Sequence, residues 1–307
     1  MAQAPGPFLS AIVPTKDRAA ALAATLAALA DQEEIAGGAE VVVADNGSTD
    51  ETPRVLAEAA ERLPSLVAVR QPKPGPAAAR NAAVAAASGQ VLLLLGDDTA
   101  PARTDLFAAH AALHRAEPDP GYAVLGRIEW APQPQPTAFM RWLDAGGPQF
   151  HYWELSAGGA ADPRSHFYSS HLSLKREIFE QVGGFDERFP FAAFEDTELG
   201  GRLAAHGMRL EYHPELLVHH DHPTSIPASL RRAVRVGRSA AIYNSLDTAV
   251  PNPRVAAPRP LAAALAPAAS PLLGAAARVP APAALRRRVW SLAHRCNYAV
   301  GYREGAP

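Results

Sequence analysis

The stretch Val91 to Pro101 reads VLLLLGDDTAP: five consecutive apolar residues, a glycine, then two adjacent carboxylates. An unbroken apolar run of this length marks a strand buried on both faces, as in a parallel sheet. Asp97 and Asp98 then stand where the strand leaves the core. In open α/β sheets, ligands bind outside the carboxyl ends of the strands. Paired carboxylates there suit a hard divalent cation, which in turn suits a phosphorylated ligand. Neighbours on extended backbone point to opposite sides, so the two acids divide their work. The competing reading is a solvated turn, where Asp is common for local hydrogen-bonding reasons.

Upstream, strand and helix alternate. Phe8 to Pro14 reads as a strand, Ala19 to Gln32 as a helix with Leu22, Leu26 and Leu29 on one face, and Glu40 to Ala44 as a second strand. Ser48 and Glu51 have capping-box spacing ahead of a helix with Pro53 near its start. Leu66 to Val69 is a short strand, and Pro76 to Ser88 an Ala-rich helix stopped by Gly89. This order predicts an α/β fold: a mainly parallel sheet with right-handed crossovers and helices on its faces.

Downstream, Gln133 to Arg164 is rich in Pro, Gly and aromatics and reads as a long functional loop region. Helices are expected over Lys175 to Val182, Glu195 to Gly207 and Ile226 to Asn244, the last with Arg231, Arg235 and Arg238 near one face. Leu216 to His220 resembles a strand running into a histidine cluster. From Pro251 the composition shifts to Ala, Pro and Arg. Residues 251–307 therefore read as a helical C-terminal appendage, basic and amphipathic from Leu285 to Tyr298.

Composition narrows the class. The 307 residues suffice for one large or two ordinary domains. A formal charge of −2 argues against a nucleic-acid partner. The single cysteine, Cys296, excludes an internal disulfide or a Cys-rich zinc site and fits a reducing cytoplasm. MAQAPGPFLS lacks the plan of a cleaved signal, and no apolar run is long enough to span a bilayer. A cytoplasmic protein is expected, with at most a peripheral contact at the inner face of the membrane.

Further chemistry sits at the other strand ends. Asp45 directly follows the second strand, where a carboxylate accepts an N–H from a base or a hydroxyl from a ribose. Thr15, Lys16, Asp17 and Arg18 follow the first strand and either hold a nucleotide or cap the helix. Arg80 and Asn81 lie within the third helix; an arginine there is solvated or, facing a site, pairs with diphosphate. Glu195 and Asp196 open a helix, as the helix dipole alone favours, or supply a general base. His219, His220 and His222 form the densest histidine cluster, and His220 and His222 share one face of an extended chain. Metal ligation or a phosphate contact are the roles such a cluster serves.

Taken in order, AIVPTKDR (11–18), VVVADNGSTD (41–50), PGPAAARNAAVAAASGQVLLLLGDDT (74–99), LSLKREIFEQVGGFDERF (172–189), FEDTELGGRLAAHG (194–207) and VHHDHPTS (218–225) resemble a family 2 glycosyltransferase with the GT-A fold. The resemblance implies a Rossmann-like sandwich whose catalytic domain spans residues 1–250. Residues 1–130 would be its nucleotide-sugar-binding half and 131–250 its acceptor-binding half. It implies sugar transfer, with inversion, from a nucleoside-diphosphate sugar (a UDP-sugar foremost) to a glycan, lipid-linked or small-molecule acceptor. It places Pro14, Thr15, Arg18, Asp45, Arg80 and Asp97 at the donor and Asp98 on Mg2+ or Mn2+, with His220 assisting. Asp196 becomes the base, with Glu195 beside it near the acceptor.

Two departures stand out. Gly96 takes the first place of a motif that often carries three acids, and His171 stands where a small amide is common. Three rivals differ by testable features. A sugar-nucleotide pyrophosphorylase needs a Gly-rich, basic N-terminal loop, which PTKDRAA (14–20) lacks. A nicotinamide oxidoreductase needs G-x-G-x-x-G after its first strand, and none is present. A non-catalytic sugar-nucleotide-binding module would keep Asp45 without needing Asp196.

Overall fold

The computed structural model describes residues 6–247 and 250–305. Residues 1–5 of the N-terminal stretch and the last two residues of the appendage lie outside the described residues.

The first half follows the expected alternation: β1 (Leu9–Thr15), α1 (Ala19–Ala30), β2 (Ala39–Asp45), α2 (Thr52–Arg62), β3 (Leu66–Arg70), α3 (Pro76–Ala86) and β4 (Val91–Leu95). β1 pairs in parallel with both β2 and β4, and β2 with β3. All five residues of β4 are buried, as an aliphatic run covered on both faces must be. The capping box before α2 does not form. The Ser48 hydroxyl accepts from the Asp17 amide instead, and Asp50 caps locally by accepting from the amide and hydroxyl of Thr52.

Beyond β4 come β5 (Thr99–Pro101), α4 (Leu106–Ala116), β6 (Tyr122–Trp130), α5 (Ala138–Asp144), β7 (Ala160–Ala161), α6 (Pro163–His166), β8 (His171–Lys175), α7 (Arg176–Gln181), α8 (Glu195–Ala205), β9 (Arg209–His220) and α9 (Ile226–Ser245). The strands continue the sheet in the order β3-β2-β1-β4-β8-β6-β9-β5, with β7 on β9. β8 runs antiparallel to β4 and β6, while β6 and β9 are parallel. The parallel block is thus extended by a mixed one. Only the last five residues of β9 were expected as strand, and none of β6. The region 133–164, expected to be loop, contains α5, a 3-10 turn at Tyr152–Glu154 and β7.

The C-terminal segment forms α10 (Pro260–Ala276) and α11 (Ala283–Gly305). α11 lies against α9 so closely that only glycine fits. A Cβ at Gly301 would sit 1.8 Å from the Val234 carbonyl oxygen, and one at Gly237 2.0 Å from that of Tyr298. Trp290 of α11 is buried against Phe139 and Trp142 of α5, and its indole N–H donates to the Ala277 carbonyl. Trp290 therefore belongs to a core shared by α5 and α11. Gly301→Leu should force α9 and α11 apart, costing about 1–3 kcal/mol or more and red-shifting tryptophan emission. An unchanged melting transition and spectrum would show that the two helices do not touch.

Candidate active site

Carboxylates, imidazoles and one arginine converge where β1, β4 and β9 end. Asp97 and Asp98 are 6% and 7% exposed, so this is no solvated turn. The Thr15 hydroxyl donates to Asp97 Oδ2 at 2.8 Å, and the Thr25 hydroxyl donates to the Asp97 carbonyl at 2.9 Å. Burial lifts the Asp97 carboxyl to about 6; Arg18 opposes the shift and neighbouring Asp98 adds to it. Burial also penalises Asp98, but His220, Arg18 and His222 outweigh that penalty and hold it well below the usual carboxylate range.

Three side chains meet at Asp98. Its Oδ2 lies 3.1 Å from His220 Nε2 and 3.5 Å from His222 Nδ1, and one ligand atom from each of the three residues lies within 4.8 Å of the others. β9 delivers the histidines: β5 pairs Thr99 with His220, and the Asp221 amide donates to the Asp98 carbonyl at 2.8 Å. The two imidazoles stack with ring centroids 5.5 Å apart, and Trp130 stacks on His220 at 5.0 Å. Arg18 reaches the same corner. It donates to Asp98 Oδ2, and to His222 Nδ1 at 2.7 Å.

Backbone conformation aims these groups. Among the described residues, two non-glycines have positive φ: Asp17 at 50° and Phe194 at 66°. One precedes Arg18 and the other Glu195. Left-handed non-glycine backbone is costly and persists where its surroundings over-determine it, often at functional sites. The Asp17 turn is held by Ser48 and by the Thr49 amide, which donates to Asp17 Oδ1 at 2.7 Å.

Asp45 closes β2 and accepts from the Ser48 amide at 2.7 Å. It borders an apolar hollow of about 410 Å³ walled by Leu56, Ala60, Leu66 and Ala68. Pro14 is half-buried beside Ala44 in the β1–β2 register. Arg80 is turned to a different partner: its guanidinium donates to Glu195 Oε1 at 2.9 Å, both side chains almost fully buried. Glu195 Oε2 and Arg80 Nε have no partner among the described residues. Asp196, next along α8, is half-buried and accepts from the Thr197 amide. Burial and the adjacent Glu195 push its carboxyl up to about 7, against the pull of Arg80.

Residues 10–183 match the model of the family described as glycosyl transferase family 2, and residues 156–294 match glycosyl transferase family group 2. The chain belongs to glycosyl transferase family 2. It is 35% identical over 226 residues to validoxylamine A glucosyltransferase of Streptomyces hygroscopicus subsp. jinggangensis, covering 66% of this chain and 52% of that one. The chain spans about half the length of the curated relatives it matches. A mannosyltransferase of Pyrobaculum calidifontis, solved with GDP-Man and Mn2+, superposes with a TM-score of 0.60 at 23% identity, covering 97% of this chain and 88% of that one. S. aureus TarS 1-349 with UDP-GlcNAc gives 0.59 at 16% identity, covering 97% and 92%. At such identities the likeness establishes the fold: the GT-A sandwich that the resemblance implied.

Within this family 2 fold, several site residues carry no local signal. Arg232 of α9 belongs to the site's charge field. Desolvation lowers its pKa and Arg235 lowers it further, while Glu195, Asp196 and Asp98 raise it. Arg231, Arg235 and Arg238 were expected near one face of that helix. Arg232 directly follows Arg231, and nothing in the surrounding sequence distinguishes the two. Trp130 ends a strand that the sequence did not reveal, so its stacking role was equally hidden. His171, which stands where a small amide is common, is fully buried, with Nε2 3.2 Å from His110 Nε2 and Nδ1 3.1 Å from the Arg127 carbonyl.

The raised Asp196 pKa has a consequence for stability. A carboxyl that holds its proton more tightly folded than unfolded loses stability as pH rises from about 4 to about 7. Above that, the buried charge costs its full amount. Asp196→Asn removes it, so the melting temperature should rise on the order of a few degrees at pH 8 and stay near wild type at pH 4. An equal shift at both pH values would mean that the carboxyl is not perturbed.

Proposed function

We propose that this chain transfers a sugar from a nucleoside-diphosphate donor, with inversion, to a hydroxyl of a glycan, lipid-linked or small-molecule acceptor. UDP-sugars are the first donors to test. The observation that carries the reading is the convergence of Asp98, His220 and His222 at the strand ends of a fold that also holds a half-buried acid, Asp196, opening α8. The nucleotide sugars bound to the solved mannosyltransferase and to TarS support the donor class.

Asp98, His220 and His222 fit a divalent cation by donor type and by proximity. One carboxylate with two imidazoles favours Mn2+ over Mg2+. Such a cation supplies charge neutralisation to the departing diphosphate. Arg18 brings a positive charge to the same corner; released from Asp98, it is within reach of diphosphate oxygens. Asp45 accepts from the base and Asp97, oriented by Thr15, from the ribose. Asp196 takes the proton of the acceptor hydroxyl as its oxygen bonds to the anomeric carbon and the bond to diphosphate breaks. Arg80 pins Glu195, whose charge keeps Asp196 basic. Arg232 balances the three acids from α9.

Asp98→Asn removes a charge at nearly constant shape. Calorimetry with nucleoside diphosphate and Mn2+ should show the metal-dependent part of binding lost while the fold is kept; unchanged metal dependence would remove Asp98 from the metal site. Asp196→Asn should bind donor normally and transfer sugar about 10²- to 10⁴-fold more slowly. The wild-type rate should climb with pH and level off above about 7, where the base is ionised. Donor binding with no turnover on any acceptor, unaffected by Asp196→Asn, would instead describe a sugar-nucleotide-binding module.

A further inference from the structure

The last part of the chain combines two properties. The first is exposed apolar surface. Among the described residues, seven large hydrophobic side chains are exposed, and six of them are Leu261, Leu265, Leu272, Val279, Leu285 and Leu292. α10 carries no charged residue along its 17 positions. Its inner face is engaged: Ser270 donates to Asn297, the Ala266 carbonyl accepts from Cys296, and the Ala263 carbonyl accepts from Arg303. Leu261, Leu265 and Leu272 recur at helical spacing on the opposite side, 59–73% exposed. Val279 and Leu285 continue the surface around the turn into α11, where both line an apolar hollow of about 250 Å³.

The second property is charge. From Pro251 onward the chain carries eight arginines and one acid, Glu304, whereas the preceding 250 residues are net negative, so the overall −2 conceals a strong asymmetry. Arg259 precedes α10 and Arg278 follows it. Arg288 and Arg295 share the exposed side of α11 with Leu285 and Leu292. A soluble monomer seldom leaves so many leucines uncovered in one place. Apolar residues flanked by arginines complement a surface that is apolar beneath and anionic above.

We propose that the outer face of α10, with the adjoining side of α11, lies in the plane of an anionic lipid surface. The arginines meet headgroups and the leucines enter the boundary beneath them. No helix among the described residues is long and apolar enough to cross a membrane, which agrees with lying on one. Trp290 takes no part, being buried against α5.

Co-sedimentation of the full chain with phosphatidylglycerol-containing vesicles tests this, with phosphatidylcholine vesicles as the neutral comparison. Binding should need the anionic lipid and weaken several-fold from low to high salt. Leu265→Glu/Leu272→Glu should abolish it while leaving the melting transition and donor turnover unchanged, because both side chains are exposed. Arg288→Gln/Arg295→Gln should weaken it without removing it. No binding to either vesicle, or equal binding by the leucine variant, would overturn the proposal. So would a concentration-dependent dimer in analytical ultracentrifugation that the leucine variant dissociates, since the face would then be covered by a second copy.

Discussion

Strand β4 buries five consecutive aliphatic side chains between β1 and β8, so the polar residues that follow it have to appear at the edge of the sheet. Every other part of the site is arranged around that exit. Thr15 at the end of β1 holds Asp97, and β9 brings His220 and His222 to Asp98. Because both carboxylates are mostly buried, their charge cannot be left to solvent, and burying an unpaired charge is expensive. An arginine, two imidazoles and a threonine hydroxyl meet that demand in the present arrangement. The electrostatic requirement that stabilises this corner of the fold is one that a divalent cation would also satisfy.

The parts of the fold legible in the sequence are those specified locally. β4 is marked by an uninterrupted apolar run, and α1 to α3 by periodicity and flanking Gly or Pro. Asp45, Asp97 and Asp98 stand out because strand ends can be located from the strands themselves. β6 and most of β9 do not: Gly126, Arg127 and Glu129 interrupt the apolar run of β6, and β9 carries Pro214 among mixed polar and apolar residues. The position of β8 between β4 and β6 is set by pairing across about 80 residues, which no short window contains.

Residue roles show the same division. His220 and His222 group by their spacing alone, and the structure brings both to one carboxylate. Arg80 pairs with Glu195, a contact spanning 115 positions, and nothing local to either residue records it. Arg232 is set apart from its neighbour Arg231 by its electrostatic coupling to Glu195, Asp196 and Asp98, residues far from it along the chain.

The placement of β8 also governs the order of events during synthesis. When residues 1–101 have emerged, β1 to β4 can already form a four-stranded block, yet the outer edge of β4 has no neighbour. Its partner arrives only after roughly 75 more residues, several seconds at the usual ~5–20 residues per second. Through that interval the most apolar strand of the protein presents open backbone donors and acceptors, the feature that recruits other nascent chains. Expression yield should therefore respond to translation speed between Leu95 and His171 more than to the stability of the finished fold.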